Sequence, residues 1–125
     1  MPHKPNPPFR NITLEDFFGF KCKNQGKANF LLEWICEEFP DIQCSLMYQI
    51  PMFKIGKKNI CYFNYFHVND ELELEICFGK GLLMSDRFQL FTDKNKTYKS
   101  IHVLETDKDF LQKLKAYIKE AIELV

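Results

Sequence analysis

The chain has 125 residues, 46% of them hydrophobic, which is typical of one domain that buries its own core. Its seventeen basic residues balance seventeen acidic ones, and this excludes the net positive field of a nucleic-acid-binding or anionic-membrane-binding surface. No apolar run is long enough for a membrane span, and the first residues lack the apolar core of a signal peptide, so we expect a cytoplasmic protein.

Four prolines mark the N-terminal part of the chain, and residues 1–12 are predicted to form an extended or disordered arm before a single domain at 13–125. Thr13 is suited to cap a short helix that runs through Phe20. A second helix is predicted from Lys27 to Phe39, because its apolar residues recur at helical spacing and Pro40 follows.

The middle of the chain is rich in aromatic and β-branched residues, interrupted by turn-forming residues, and this predicts consecutive antiparallel strands. The predicted strands are Gln43–Tyr48, Met52–Ile55, Asn59–His67, Glu71–Phe78 and, after an apolar turn or short helix around residues 82–90, Tyr98–Leu104. A final amphipathic helix begins near Thr106. The fold class that follows is α+β, a two-layer sandwich in which N- and C-terminal helices pack on one face of a mainly antiparallel sheet of about five strands.

The order of fold-forming residues resembles the YdhG-like family, a domain of unknown function that belongs with the frataxin-like folds. The resemblance covers roughly residues 14–124. Its elements are Pro40, Tyr48-x-x-Pro51-x-Phe53, Gly56, Phe78-Gly79-x-Gly81 and Lys99-x-Ile101. It implies the same two-layer sandwich and an iron-handling role, because a relative is described as an iron chaperone. Cys44 stands where the family usually carries Glu, so a ligand role at that position does not carry over.

Three carboxylates, Glu71, Glu73 and Glu75, alternate with apolar residues and therefore share one face of a strand. A three-residue loop before Glu71 would place His67 opposite it and gather imidazole, carboxylate and thiol on that face; a two-residue loop, Asn69-Asp70, would reverse the parity and remove this grouping. Such a ladder can hold a hard cation weakly, whereas the simpler interpretation is a solvated strand face.

Glu33 and Glu37 add a second acidic surface on the first long helix, similar to the acidic surfaces associated with frataxin-like iron binding. The simpler interpretation is again a solvated helix face.

Aromatic residues are the second unusual feature, at 15% of the chain with thirteen phenylalanines. Phe30 and Trp34 lie on the acidic side of the first long helix, where they form a contact for a partner or are covered by the N-terminal segment. The predicted strand Asn59–His67 offers aromatic side chains on both faces, which favours a groove or partner on the sheet face away from the helices. The predicted contact surface comprises Phe30, Trp34, Tyr62, Phe63, Tyr65 and Phe66.

No order of nucleophile, base and acid is recognisable, and the five cysteines include no Cys-x-x-Cys pair, so we expect reduced cysteines and no structural zinc. An enzyme built around Cys44 or His67 is the least favoured function. The sequence predicts a non-enzymatic module, monomeric or homodimeric, that binds a small ligand or protein and needs no cofactor. The alternative is an intracellular iron chaperone that holds iron weakly through Glu33, Glu37, Glu71, Glu73, Glu75 and His67.

Overall fold

A computed structural model of the protein describes residues 25–47, 50–68, 71–92 and 98–125. The predicted arm at residues 1–12 and the predicted helix Thr13–Phe20 lie outside the described residues. In chain order, the described elements are helix α1 (Gln25–Glu38), strands β1 (Gln43–Met47), β2 (Ile50–Ile55), β3 (Lys58–Val68) and β4 (Glu71–Phe78), a 3-10 turn (Gly81–Leu83), strand β5 (Lys99–His102) and helix α2 (Lys108–Leu124).

The two helices begin and end where the local sequence requires it. In α1 the last helical hydrogen bond runs from the Phe39 amide to the Ile35 carbonyl, directly before Pro40, which cannot donate one. In α2 the Asp107 side chain accepts from the Phe110 amide at 2.9 Å and satisfies a donor of the first turn. The sequence predicted both ends of α1 and the start of α2 to within two residues of their positions in the structure.

The five strands form one antiparallel sheet in the order β1-β2-β3-β4-β5, so each strand pairs with its sequence neighbour. Gly56 has a φ of +63° in the tight turn from β2 to β3, a conformation that glycine adopts without strain. Pro51 lies inside β2, where it pairs with Leu46 of β1, while the pairing with β3 starts only at Met52. The α+β fold class predicted from the sequence is confirmed.

The pairing of β3 with β4 decides which side chains meet on each face. Val68 pairs with Glu71, and Phe66 pairs with Glu73. This is the register of the two-residue connection, so His67 does not lie opposite Glu71, and the His67 grouping that the three-residue alternative predicted is not formed.

The core lies between one face of the sheet and the two helices, since side chains from α1, α2 and that face form one buried cluster. Lys115 of α2 also reaches Glu38 of α1, with 2.9 Å between ammonium and carboxylate. Phe63 is fully buried in this core and packs on Phe53, with 4.8 Å between ring centroids. Phe63 therefore does not belong to a partner-binding surface, contrary to the sequence-based expectation.

Two further local features depend on the assembled fold. A register shift in the β2–β3 pairing places Phe53 opposite Cys61 and Lys54 opposite Asn59, so Ile60 is an extra residue and is buried in the core. Of the apolar turn or short helix predicted around residues 82–90, the structure has the turn, a 3-10 turn followed by an irregular loop. The physical cause of that loop is tertiary, because side chains of α2 hold it through hydrogen bonds.

Candidate functional site

The sheet face opposite the helices carries an unusual row of polar and aromatic side chains. Among the described residues no helix lies over this face, and we call it the helix-free face. Strand alternation and register place on it the side chains of Tyr62, Asn64, Phe66, Glu73, Glu75, Cys77, Ser100 and His102. Since β4 lies between β3 and β5, its Glu75 pairs with Asn64 on one side and with His102 on the other.

Glu75 is at the centre of a buried polar row. Its residue surface is only 7% exposed, so its carboxylate is not part of a solvated strand face. One carboxylate oxygen lies 3.7 Å from His102 Nε2, and the other accepts from the Cys77 thiol at 3.8 Å. Tyr62 of β3 pairs directly with Cys77 across the sheet. The structure thus gathers imidazole, carboxylate and thiol, but around His102 rather than His67.

Aromatic rings from the two flanking strands meet across β4. Phe66 of β3 stacks on the imidazole of His102 of β5, with ring centroids 3.5 Å apart and planes 13° apart. Tyr62 and Tyr98 approach each other at 6.0 Å between centroids. Because β4 runs between β3 and β5, Phe66 and His102 meet across the strand that carries Glu75 and help to explain its burial.

The described cysteines of the sheet are not activated thiols. Burial raises the pKa of Cys77, and the Glu75 carboxylate beside it raises the pKa further. Burial is also the main cause of the raised pKa values of Cys44 and Cys61. A thiol nucleophile needs a lowered pKa, so the environment of these three side chains is that of inert buried cysteines. The environment of Cys44 therefore gives no support to a thiol enzyme built around it.

The predicted metal ligands fall on both sides of the sheet. Glu33 and Glu37 belong to α1, whose Leu31 and Ile35 are buried in the core, whereas Glu73 and Glu75 belong to the helix-free face. The side chains of His67 and Glu71 lie outside the described residues. Within the described part of the chain, no group of three or more His, Cys, Asp or Glu residues is arranged to hold a metal ion.

The predicted aromatic surface is divided in the same way. Phe30 is 47% exposed on α1, whereas Trp34 is partly buried and packs against the core. Tyr62 and Phe66 are partly buried on the helix-free face. The Tyr65 side chain lies outside the described residues. The structure therefore brings together Tyr62 and Phe66 from the predicted set, and it adds Tyr98 and His102 to them.

A pocket of about 450 Å³ adjoins this row at the edge of the sheet, and we call it the His102 pocket. Its walls are apolar where β5, the preceding loop and the first turns of α2 meet, and its rim is mainly acidic. The apolar lining residues are Leu90, Ile101, Leu104 and Phe110. The charged lining residues are Glu105, Asp107, Asp109 and Lys113. The volume of this pocket lies within the range of sites for small molecules.

His102 links the pocket to the buried row, because it lines the pocket and also contacts Glu75 and Phe66. Sequence reasoning did not place His102 in the site. The available signal was its alternation with Ser100 on the last strand, but the register that brings it to Glu75 spans residues far apart in the chain. No local sequence pattern predicted the pocket wall that α2 forms, because helix packing alone positions Phe110.

In the described ranges no helix combines the length and the apolar character needed to cross a membrane. The resemblance to the YdhG-like family remains an interpretation of the residue pattern. Comparison of the chain with models of known protein families, with curated proteins and with solved structures finds no match.

Proposed function

We propose that the protein is a non-enzymatic binding module and that its ligand occupies the His102 pocket. The observation that carries the proposal is the position of His102, which lines an apolar pocket of about 450 Å³ while Phe66 and Glu75 contact it from behind. A side chain held on two sides loses little freedom when a ligand arrives, which favours binding. The row contains a carboxylate, an imidazole and a thiol, but its thiol has a raised pKa and is no nucleophile.

The charges at the rim favour one class of ligand. Three carboxylates, of Glu105, Asp107 and Asp109, line the pocket together with one ammonium group, that of Lys113. The Lys113 ammonium lies 3.2 Å from Asp109, so this cation is already neutralised. The remaining field is negative, and the walls are apolar. We infer a small amphipathic ligand with an apolar body and an amine or another hydrogen-bond donor.

The test uses two probes of similar size and opposite charge, 2-phenylethylamine and 3-phenylpropanoate, in NMR titrations of the ¹⁵N-labelled protein. We expect the amine to shift the backbone amides of Ile101, Leu104 and Phe110, and the acid to leave them unchanged. Leu104→Ser should weaken the shift, because 61% of this side chain is exposed at the pocket and its loss does not disturb the core. Leu83→Ser, an equally exposed leucine outside the pocket, is the matched control. Equal shifts with both probes, or none with either, would refute the proposal.

The alternative, a frataxin-like iron chaperone, rests on a different use of the same row. Glu75 and His102 supply one oxygen and one nitrogen donor on the helix-free face, with Glu73 as the next carboxylate along β4. Anaerobic calorimetric titration with ferrous iron distinguishes the two functions. Saturable binding that Glu75→Gln abolishes would favour the chaperone, and the absence of heat would leave the His102 pocket as the proposed site.

A further inference from the structure

One lysine of α1 ties the wall of the His102 pocket to the rest of the fold. Lys27 lies in the first turn of α1, where the helix dipole disfavours a cation, so the local sequence gives no reason for it. Its ammonium donates to the Leu104 carbonyl at 2.8 Å and to the Val103 carbonyl at 3.3 Å. The Glu73 carboxylate lies 3.9 Å from the same ammonium, and only 19% of the Lys27 side chain is exposed. Three oxygen atoms, from β4 and from the segment after β5, therefore surround one cation.

The segment that Lys27 holds connects β5 to α2 and has no regular secondary structure of its own. Val103 is anchored at its start, since its side chain is buried and its amide donates to the Leu74 carbonyl at 2.9 Å. Asp107 is anchored at its end as the cap of α2. Leu104 has no comparable support from packing, because it is 61% exposed. The direction of its side chain therefore depends on what holds its backbone.

The two hydrogen bonds from Lys27 hold the backbone on both sides of the Leu104 Cα atom. Each peptide unit is planar, so a hydrogen bond to its carbonyl restrains the orientation of the whole unit. The Val103 carbonyl belongs to the peptide unit before this Cα atom, and the Leu104 carbonyl belongs to the unit after it. One ammonium thus restrains both planes and, through them, the direction in which the Leu104 side chain joins the wall of the His102 pocket.

We propose that Lys27 is a positioning residue for ligand binding in the His102 pocket. It does not line the pocket itself, and it acts through Leu104 and the following Glu105, both of which do. The apolar wall that Leu104 forms is then in place before a ligand arrives, so binding costs less conformational freedom. This inference rests on the proposed function, but the position of Leu104 is testable without a ligand.

Lys27→Met in the full-length protein tests the position of Leu104, because it keeps an apolar side chain and removes the donors. We expect a change in the three-bond coupling between the amide and α protons of Leu104, which reports its φ angle, and in the carbonyl ¹³C shifts of Val103 and Leu104. Lys115→Met is the matched control, since it breaks another lysine contact of α1, the 2.9 Å ion pair with Glu38, and should leave these signals unchanged. An unchanged Leu104 coupling in Lys27→Met would overturn the proposal.

NMR titration of the same variants with 2-phenylethylamine tests the effect on binding. Removal of a cation near an acidic rim would by itself strengthen the binding of an amine, so a weaker affinity reports the lost position. We expect Lys27→Met to weaken binding about threefold to tenfold, as when an ordered side chain becomes mobile. Lys27→Arg should retain most of the affinity, and Lys115→Met should bind like the wild-type protein.

Three results of the titration would overturn the proposal. The first is wild-type affinity in Lys27→Met. The second is an equal loss in Lys27→Met and Lys115→Met, which would indicate only a general loss of stability. The third is an equal loss in Lys27→Arg and Lys27→Met, because a guanidinium can donate to both carbonyls. If the wild-type protein does not bind the amine, the proposed function fails, and the Leu104 coupling alone then decides whether Lys27 positions this residue.

Discussion

The Phe66 ring and the His102 imidazole stack at 3.5 Å between centroids, although they belong to β3 and β5 and the whole of β4 lies between their strands. The stack covers Glu75, whose carboxylate lies 3.7 Å from the imidazole. An aromatic contact, a buried acid and the wall of a pocket thus depend on one histidine. Its position links the helix-free face to the His102 pocket.

The stack should be measurable as a coupling energy. Phe66→Leu and His102→Ala, combined in a double-mutant cycle, should show a coupling of about 0.5–1.5 kcal/mol in the free energy of unfolding from urea titrations. Phe66→Leu combined with Phe30→Leu is the control pair, because Phe30 lies on α1 at the opposite side of the sheet. These two changes should be additive. A coupling of zero for Phe66 and His102 would show that the rings do not interact in solution.

The Tyr117 hydroxyl should be required for the conformation of the loop between β4 and β5. Tyr117→Phe leaves the Phe88 amide without its acceptor and removes a donor from Asp86, so we expect a loss of about 1–3 kcal/mol of unfolding free energy. Hydrogen exchange of the Phe88 and Leu90 amides should become faster. Asp86→Asn keeps a side-chain acceptor and tolerates the left-handed conformation, so it should cost less than Asp86→Ala. Equal costs for the two Asp86 variants would contradict this account.

Gly81 should tolerate no side chain because the loop approaches β5 closely there. A Cβ at this position would lie 2.5 Å from the Cβ of Lys99 and 2.9 Å from its backbone nitrogen. Gly81→Ala should therefore reduce the unfolding free energy by about 1–3 kcal/mol, the usual cost of overpacking. Gly79→Ala is the matched control, since no atom lies within 4 Å of a Cβ at Gly79. Equal stability of the two variants in urea titration would contradict the close approach.

The buried thiols should make the protein less stable at alkaline pH. The pKa values of Cys44, Cys61 and Cys77 are raised above their ordinary value of 9.0, chiefly by burial, so the folded state holds these protons more tightly than the unfolded state. Their contribution is complete below pH 9 and decreases as the pH rises, by about 1.4 kcal/mol per pH unit for each thiol.

Urea titrations at a series of pH values measure how the unfolding free energy changes with pH. The range from about pH 8 to pH 10.5 spans the ordinary pKa of a thiol. Cys44→Ala should reduce the slope by the contribution of one proton, about 1.4 kcal/mol per pH unit. This change in slope is separate from any stability that the substitution loses through poorer packing. Ser45→Ala, the next residue on β1 with its side chain on the other face, should leave the slope unchanged. An unchanged slope in Cys44→Ala would show that this thiol ionises as readily in the folded protein as in the unfolded chain.

The sequence by itself determined the elements and their order. The apolar spacing of α1 and α2, the cap at Asp107 and the glycine turn at Gly56 are local signals, and each depends on residues close together in the chain. Alternation along β4 also separated Glu73 and Glu75 from the apolar side chains between them, because side chains in a strand alternate between the two faces. The α+β class followed from the same local information.

Only the tertiary structure decided which of these side chains meet. The local sequence allowed two registers between β3 and β4, and a shift of one residue exchanges the faces, so the choice that pairs Phe66 with Glu73 required the assembled sheet. His102 reaches Glu75 through strand pairing across a long separation, and Phe110 reaches the pocket through helix packing. The conformation of the loop between β4 and β5 also depends on tertiary contacts, since the Tyr117 hydroxyl of α2 accepts a hydrogen bond from the Phe88 amide. Contacts between residues distant in the chain leave no local pattern, and for that reason the site could not be predicted from the strands that form it.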